Sequence, residues 1–316
     1  MLREGELMLK ALVSELADIK SLQLTVLLDD RFQHLLLPEQ VSCVYIDATE
    51  SLQESLSCLI EQHDAVWPIA PESDSILYDL SVLVEQNQTV LLNSTAIAVS
   101  LCADKLLTVD LLKSNGIKAV NTSRLAEFSS QTAGPWVVKP KSAEGCEQTY
   151  LIDNCDELRE LKLSIDEQFD YIVQPYIEGQ SLSLSCLFKE GRAWLLCCNQ
   201  QEMTIQQHQF SLQACRVNVS NEHNTIYQQL INQIAQTISG LWGYVGIDII
   251  QPHGAEAMVL EINPRLTTSY AGILPALGLN VAAQVINMFK GDPIIEKPLN
   301  KQITVSISKD FECTKV

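Results

Sequence analysis

Two carboxylates interrupt an otherwise apolar pair of segments near the C-terminal end of the chain. The segments YVGIDII (244–250) and AMVLEINP (257–264) have the composition of strands, and the loop HGAE separates them. If a hairpin closes through these four residues, Asp248 faces Glu261, and Asn263 projects from the same face as Glu261. Unpaired carboxylates are rarely buried, and carboxylate and amide oxygens suit Mg²⁺ or Mn²⁺. The pattern therefore predicts a divalent-metal site, with a solvated hairpin face as the alternative.

Strand-like and helix-like segments alternate along the first hundred residues. Alternation of this kind predicts a small parallel α/β sheet. Neither GxGxxG nor a GxxxxGKS or GxxxxGKT motif occurs in the chain, so a Rossmann dinucleotide site and a P-loop are unsupported. The predicted strands are 23–29, 41–47, 64–70 and 89–93, and the predicted helices between them are 51–62 and 73–86.

The chain changes character at about residue 104. A predicted amphipathic helix begins at Asp104, a suitable N-cap, and ends at Gly116. The turn KEGR between two apolar runs predicts a β-hairpin, and ITVSIS after residue 300 is either a late strand or partly disordered. Further predicted strands are 134–140, 149–152 and 171–177, and further predicted helices are 155–163 and 225–239. We expect an α/β fold with an α+β catalytic part, divided into an N-terminal domain (1–100), a small lobe (101–180) and a C-terminal lobe with the metal site (181–316).

The distribution of charge singles out one short window. The chain has 39 acidic and 21 basic side chains, a net charge of −18, which argues against a broad basic surface for nucleic acid or membranes. Residues 105–141 nevertheless hold six basic and two acidic side chains. Lys139 ends the apolar strand VVKP, and Lys105 opens a helix whose dipole opposes its charge. Both positions suit a bound phosphate, which the amides of loop 141–148 can cover. Ordinary surface lysines are the alternative.

Two further segments carry groups that suit a ligand. Arg265 follows the predicted metal ligands, where a guanidinium can stabilise charge on a transferred phosphoryl or acyl-phosphate oxygen. The hydroxyls of 267–270 suit either a polar substrate or an ordinary turn. The apolar strand IVQPYIEG (172–179) can present backbone groups to a purine, with Tyr176 and Ile177 as walls, although most such strands are plain core.

Cysteine spacing and the lack of long apolar stretches indicate the compartment. Ten cysteines occur at irregular positions, so we expect reduced thiols rather than a disulfide framework, and five histidines show no metal-ligand spacing. No stretch resembles a signal peptide, and none approaches the roughly 18 apolar residues that span a bilayer. We expect a cytoplasmic protein with small-molecule substrates and no nucleic-acid or membrane partner. Whether it forms a homo-oligomer is open.

Taken in order, these segments resemble those of the ATP-grasp enzymes. The resemblance covers about residues 95–290, and LEINPR with the upstream GID is its most specific part. It implies ATP and Mg²⁺ or Mn²⁺ as ligands, and an ATP-grasp fold preceded by a parallel α/β pre-ATP-grasp domain. The roles it implies are phosphate binding for Lys105 and Lys139, adenine binding for Gln174, Tyr176 and Ile177, metal binding for Asp248, Glu261 and Asn263, and a catalytic role for Arg265.

Two segments depart from the family pattern. The phosphate loop has a single glycine, Gly145, where the family usually has more. Ser181 stands near the place of the glutamate that often binds the ribose hydroxyls. Either Glu178 takes that role or the ribose is held loosely.

The resemblance also implies an activity. The segments KPKSAEGCEQTYLI, QPYIEGQSLSLS and EINPRLTTSYAG are similar to those of the tyramine–glutamate ligases of methanofuran biosynthesis. That similarity implies a carboxylate–amine ligase that activates glutamate as an acyl phosphate and joins it to tyramine or a related aromatic amine, releasing ADP and phosphate. The alternatives are another ATP-grasp ligase for amino acids or peptides, and an inactive ATP-binding sensor or subunit.

Overall fold

The fold is given by a computed structural model that describes residues 2–47, 49, 51–129, 134–142, 145–165 and 170–307. Short 3₁₀ helices span Asp30–Phe32, Ser73–Ser75 and Thr268–Gly272. The α-helices are α1 (Leu2–Ala17), α2 (Leu52–Ile60), α3 (Ile76–Gln86), α4 (Ala96–Ala103), α5 (Lys105–Ser114), α6 (Cys155–Ser164), α7 (Asn224–Thr237), α8 (Ile273–Leu277) and α9 (Val281–Asn287).

The strands of the N-terminal part form parallel pairs. β1 (Leu24–Asp29) pairs with β2 (Val41–Ile46), and β3 (Ala65–Val66) pairs with β4 (Val90–Leu91). The predicted strands, the helices between them and the parallel direction are all present. The short β3 and β4 are a correction to the predicted lengths. Within the described residues no hydrogen-bonded ladder joins the two pairs, so the predicted single sheet is two separate ladders.

One ten-stranded sheet runs through the rest of the molecule. Its strands are β5 (Ser123–Arg124), β6 (Trp136–Pro140), β7 (Tyr150–Ile152), β8 (Tyr171–Pro175), β9 (Gln180–Lys189), β10 (Arg192–Gln206), β11 (Gln209–Val217), β12 (Gly243–Gln251), β13 (Met258–Asn263) and β14 (Ile303–Ser306). Their order is β13-β12-β9-β10-β11-β7-β6-β8-β5, with β14 paired to β11. The hairpin predicted at KEGR is β9–β10, and the segment ITVS forms the predicted late strand.

Helices cover both faces of the sheet around β9 and β12. Side chains alternate along β9: Leu184 and Cys186 pack in a buried cluster with α4, α5 and α7, whereas Leu187 packs with α1, α8 and α9. A third cluster packs α6 against β6, β7 and β8 around Trp136. The strands that carry the predicted metal ligands therefore lie between two layers of helices.

Helix α1 packs against the last third of the chain. Met8 and Leu12 lie in the same buried cluster as Tyr270. Glu15 is buried, and its Oε2 accepts hydrogen bonds from Tyr270 Oη (2.8 Å) and from the backbone N–H of Ala282 (2.9 Å). This helix is absent from the predictions above, although the four-residue spacing of Met8 and Leu12 is a helical signal.

The β12–β13 hairpin has the predicted pairing at one end and a different pairing near its tip. Asp248 lies opposite Glu261, as predicted. Nearer the tip, Ile249 lies opposite Val259 rather than Leu260, and Leu260 is the extra residue of a β-bulge. The predicted closure through a strict four-residue loop is therefore wrong. A shift at the tip and the bulge offset each other, which leaves the two carboxylates opposed.

The described residues show how the thiols and apolar helices are placed. The cysteines among them are free. No single helix in that part of the chain is long and apolar enough to cross a membrane. The bent pair Thr268–Leu277 and Val281–Asn287 reaches the necessary length and composition only when both pieces are counted together.

Candidate active site

Two carboxylates and an amide lie together on the β12–β13 hairpin. Asp248 and Glu261 are directly opposed, so their side chains share one face of the sheet. Gln201 of β10 donates its amide N–H to Asp248 Oδ1 (3.1 Å), and Asn263 donates its amide N–H to Asp248 Oδ2 (3.3 Å). Asn263 thus reaches the same patch as the two carboxylates, with its amide nitrogen toward Asp248. Its role as a metal ligand stays a prediction.

Both lysines predicted to bind phosphate converge on Glu261. Lys105 Nζ lies 3.4 Å and Lys139 Nζ lies 3.6 Å from Glu261 Oε2. Lys105 comes from the start of α5 and Lys139 from β6, and each residue is only 8 % exposed. A buried ammonium needs a counter-charge, which Glu261 provides. The expected phosphate lysines and metal carboxylates therefore form one cluster of charges.

Burial and neighbouring charges separate the pKa values of the two carboxyl groups. Burial, together with the charge of Glu261, raises the pKa of Asp248 to about 7. Burial opposes ionisation of Glu261 as well, but the charges of Lys105 and Lys139 outweigh it and lower the pKa of Glu261 to about 2. Burial also lowers the pKa of Lys139, an effect that the charge of Glu261 partly offsets. Near neutral pH Glu261 is therefore ionised, whereas Asp248 is only partly ionised.

A sharp break between α4 and α5 sets the position of Lys105. Asp104 ends α4 and begins α5 with an extended backbone, and its Oδ1 accepts from the N–H groups of Leu106 (3.0 Å) and Leu107 (3.2 Å). Its Oδ2 pairs with Lys141 Nζ at 3.1 Å. The predicted N-cap is thus confirmed. The same carboxylate also ties α5 to the loop that follows β6.

The predicted adenine-binding segment begins with a buried amide. Gln174 is 1 % exposed and lies opposite Val137 in the sheet. Val137 precedes Lys139 by two residues on the same strand, so the side chains of Gln174 and Lys139 lie on the same face of the sheet. Gln174 Nε2 donates to Thr122 Oγ1 (2.9 Å), whereas Gln174 Oε1 is buried and accepts no hydrogen bond from the described residues. A buried oxygen that accepts no hydrogen bond destabilises the folded protein, so an N–H group of a ligand is a suitable partner for Gln174 Oε1.

The rest of that segment lies nearer the surface. Tyr176 is 36 % exposed, and its backbone N–H donates to the carbonyl oxygen of Pro135 (3.0 Å). Ile177 is half-buried and Glu178 is exposed. The structure therefore places Gln174 on the same sheet face as Lys139. The side chains of Tyr176, Ile177 and Glu178 are partly open to solvent. Their adenine and ribose roles stay predictions.

Arg265 is held by a residue that the sequence patterns did not single out. Its Nε donates to Glu72 Oε2 at 2.5 Å, and its Nη1 donates to the carbonyl of Leu266 at 3.0 Å. Glu72 is 7 % exposed and belongs to the loop before the 3₁₀ helix Ser73–Ser75. The two residues are 193 positions apart, so no local pattern relates them. The N-terminal part of the chain thus orients the predicted catalytic guanidinium.

Most hydroxyls that follow Arg265 are engaged within the protein. Thr267 and Ser269 hydrogen-bond to each other at 2.9 Å and to the hydroxyl of Tyr244 at 2.9 and 3.4 Å. Tyr270 is fully buried against α1. These contacts favour a structural role for the three hydroxyls over the substrate-binding alternative.

A cavity of about 1710 Å³ connects this cluster with the N-terminal part of the chain. The hairpin carboxylates and Arg265 line this cavity, as do residues of α1 and β1. Gly145 and Cys146 of the predicted phosphate loop also face it, while residues 143–144 lie outside the described part of the chain. Burial, together with the charge of Glu261, raises the pKa of the Cys146 thiol to about 12, so this thiol stays protonated.

The fold and the site together define a class of enzyme. Residues 102–269 match the ATP-grasp domain family, and residues 22–99 match the pre ATP-grasp 3 domain family. The chain therefore belongs to the ATP-grasp family, and its α/β architecture with a pre-ATP-grasp domain is confirmed. It is an ATP-dependent ligase that forms C–N bonds.

Two curated enzymes and a solved structure that resemble this chain indicate more narrowly which kind of ATP-grasp ligase it is. The tyramine–L-glutamate ligase of Methanocaldococcus fervens is 26% identical over 310 residues, 96% of this chain and 94% of that enzyme. The tyramine–L-glutamate ligase of Methanocaldococcus jannaschii is 26% identical over 275 residues, 86% of this chain and 79% of that enzyme. The solved structure of N5-carboxyaminoimidazole synthetase from Staphylococcus aureus complexed with ADP has the same fold, with a TM-score of 0.74, 19% identity and coverage of 96% of this chain and 79% of that one. The chain is thus an ATP-grasp ligase close to the tyramine–L-glutamate ligases.

Proposed function

We propose that this ligase joins the carboxylate of glutamate to tyramine or a related aromatic amine through an acyl phosphate. The observation that carries the proposal is the buried cluster of Lys105, Lys139, Asp248 and Glu261, in a chain similar over 96% of its length to a tyramine–L-glutamate ligase. Phosphoryl transfer depends on positioning and charge neutralisation, which such a cluster supplies.

The two buried lysines support binding of a triphosphate. Each already lies close to Glu261, so each has a preformed position and a negative partner. A triphosphate carries more negative charge than one carboxylate, so it would compete for both ammonium groups. Gln174 Oε1 suits an N–H of the adenine, with Tyr176 and Ile177 beside it. This completes a nucleotide site that extends from β8 to α5.

The hairpin carboxylates fit Mg²⁺ or Mn²⁺. Asp248 and Glu261 oppose each other, and burial, together with the charge of Glu261, raises the pKa of Asp248. A divalent cation between the two carboxylates would offset their repulsion. Asn263 would complete the ligand set with its amide oxygen turned toward them. A bound divalent ion would neutralise phosphate oxygens.

Arg265 would act on the charge that develops in both chemical steps. In the first, a carboxylate oxygen of glutamate attacks the γ-phosphorus of ATP, and the P–O bond to ADP breaks. In the second, the ammonium group first gives up one proton to solvent, and the neutral amine nitrogen attacks the acyl carbon. A C–N bond forms, the C–O bond to phosphate breaks, phosphate leaves, and the nitrogen loses a second proton to the phosphate or to solvent. The guanidinium, oriented by Glu72, would stabilise the negative oxygens of each step.

The test is ADP release from Mg·ATP with a matrix of amino acids and amines, with the product identified by mass spectrometry. We expect turnover that requires both glutamate and an aromatic amine. Turnover with glutamate and only non-aromatic amines would show that the proposed aromatic amine is not the second substrate. Turnover with pairs of amino acids would indicate a peptide-forming ligase, and ATP binding without turnover would indicate a sensor or subunit.

A further inference from the structure

We propose that Glu4, in the first turn of α1, binds the ammonium group of the amine substrate, and that the adjoining face of α1 contacts the apolar body of the amine. This inference rests on the proposed function, because it concerns the second substrate of that reaction. It assigns a role to a helix that precedes both matched domains, which begin at residues 22 and 102.

Glu4 lines the cavity and lies next to the predicted phosphate loop. Its Oε1 accepts a hydrogen bond from Thr268 Oγ1 (3.0 Å), which orients the carboxylate. Its Oε2 lies 3.5 Å from the place that a Cβ would occupy on Gly145, so the carboxylate reaches the phosphate loop. The next residue of that loop, Cys146, is close enough for the charges of Glu4 and Glu261 both to act on its thiol. Glu4, Asp248 and Glu261 line the same cavity as Gly145 and Cys146 of this loop.

The cavity continues from Glu4 along an apolar face of α1. Met8 and Leu12 follow Glu4 at four-residue spacing, so the three side chains share one face, and all line the cavity. This face extends about 12 Å along the helix axis. Trp67 and Leu266 line the cavity as well, and both belong to the apolar cluster that includes Met8 and Leu12. A carboxylate followed by apolar and aromatic walls suits a cation with an apolar body.

The charge of the cavity favours the amine over glutamate at this position. A negative surface attracts the amine, whose net charge is +1, more strongly than glutamate, in which two carboxylates outweigh one ammonium group. Among the described lining residues, the acidic side chains are Glu4, Glu6, Asp29, Asp64, Asp248 and Glu261, and the permanent cation is Arg265. Glu6 and Asp29 are already paired with Lys10 and Arg31, so the charge of Glu6 is neutralised locally. Asp248 and Glu261 belong to the lysine and metal cluster, whereas Glu4 lines the same cavity from α1 and bonds to Thr268.

The test compares Glu4→Gln with Glu6→Gln in the full chain. Glu6 is a matched control, because it lies on the same helix, lines the same cavity and pairs with Lys10 at 2.6 Å. We expect Glu4→Gln to raise the KM for tyramine by about 10- to 100-fold, the worth of a hydrogen bond to a charged group. The KM values for glutamate and ATP are expected to stay within about twofold. Glu6→Gln is expected to leave all three unchanged.

A second measurement separates ammonium binding from support of the fold. Tyrosol has the body of tyramine with a hydroxyl in place of the ammonium, so its inhibition constant is expected to be equal in the wild type and in Glu4→Gln. Glu4→Asp keeps the charge and is expected to recover part of the affinity for tyramine. An unchanged KM for tyramine, an increase confined to glutamate, or an equal loss of affinity for tyrosol would overturn the role of Glu4. A wild-type protein that forms no amide from glutamate and aromatic amines would instead overturn the proposed function, and the inference with it.

Discussion

Glu261 is the residue on which most charges of the site depend. It is the common counter-ion of Lys105 and Lys139, and it stands opposite Asp248. Its negative charge contributes to the raised pKa of Asp248 and partly offsets the effect of burial on the pKa of Lys139. One side chain therefore couples the proposed metal site to the proposed triphosphate site.

We expect Glu261→Gln to abolish measurable turnover while the protein stays folded. The amide keeps the shape of the side chain but removes a metal ligand and the counter-charge of two lysines. Loss of charge stabilisation of this kind lowers kcat by about 100-fold or more. ADP release at saturating substrates measures the activity, and circular dichroism measures the fold.

Glu256→Gln is the matched control for that variant. Glu256 lies in the loop of the same hairpin, and its partner is the exposed Lys118. Exposed ion pairs contribute little, so this change is expected to leave kcat unaltered. Near-normal activity of Glu261→Gln at ordinary Mg²⁺ concentration would show that the metal assignment is wrong.

Local chemistry could be predicted at this scale, and distant partners could not. Lys139 and Glu261 were conspicuous because each charge interrupts an apolar strand. Glu72 and Gln201 lie in ordinary polar surroundings in the sequence, and only tertiary contacts with Arg265 and Asp248 give them a role. A single sequence holds no pattern that relates residues so far apart.

Among the elements, the junction of α4 and α5 has the most direct link to the nucleotide site. Asp104 caps α5, holds Lys141 and precedes Lys105. A change at this one position therefore acts on helix stability and on the position of two lysines at once.

We expect Asp104→Ala to weaken both the fold and the binding of ATP. Loss of the N-cap costs about 1 kcal/mol, and displacement of the lysines is expected to raise the KM for ATP roughly tenfold. Asn154→Ala is the control, because Asn154 caps α6 through two backbone N–H groups at 3.0 Å each. That variant is expected to lose similar stability without a change in KM. Equal KM values for the two variants would show that the junction has no role in nucleotide binding.

Helix α1 introduces a pH dependence through Glu15. Burial raises the pKa of Glu15 to about 7, although the hydrogen bonds from Ala282 and Tyr270 act in the opposite direction. The folded state therefore binds the proton more tightly than the unfolded state does. Protonated Glu15 therefore contributes to the free energy of unfolding. This contribution is fully present below about pH 4.5 and is lost as the pH rises to about 7.

We expect Glu15→Gln to remove this loss. A glutamine oxygen can still accept from Tyr270 and Ala282, because both bond to a single oxygen of Glu15. The variant is therefore expected to gain stability relative to the wild type between pH 5 and pH 8, by roughly 2–3 kcal/mol. Urea unfolding at both pH values measures the difference. An unchanged difference between the two proteins across that range would contradict the assigned pKa.

The β12–β13 hairpin shows how far element-level prediction reaches. Strand identity and the opposition of Asp248 and Glu261 followed from alternation and a short loop. The bulge at Leu260 could not be predicted, since the alternation of apolar and polar residues does not show which position of a strand is left unpaired. The long sheet likewise joins strands of both predicted lobes, which local patterns do not reveal.

At the scale of the whole molecule, the nucleotide site draws on elements that are distant in the chain. Lys105 comes from α5, Lys139 and Gln174 come from β6 and β8, and the carboxylates come from the β12–β13 hairpin. A ligand that bridges them would link these elements and stabilise the folded state as a whole.

We expect Mg·ATP at about 100 times its Kd to stabilise the protein by about 2.7 kcal/mol, which corresponds to a rise in Tm of about 5 °C. Scanning fluorimetry measures the shift. ATP with EDTA is expected to give a smaller shift, and Glu261→Gln is expected to lose the part that depends on Mg²⁺. No shift in the wild type would contradict the proposed nucleotide site.

The position of α1 has a consequence for the order in which the molecule is assembled. Glu15 bonds to Tyr270, 255 positions later in the chain. At ribosomal rates of about 5–20 residues per second, α1 waits roughly 10 to 50 s for that partner. Until then Met8 and Leu12 lack many of the side chains of their buried cluster, which includes Tyr270, Ile273 and Val281. A helix made early is thus among the last to dock, and the wall proposed to receive the amine is completed only after the C-terminal lobe has been synthesised.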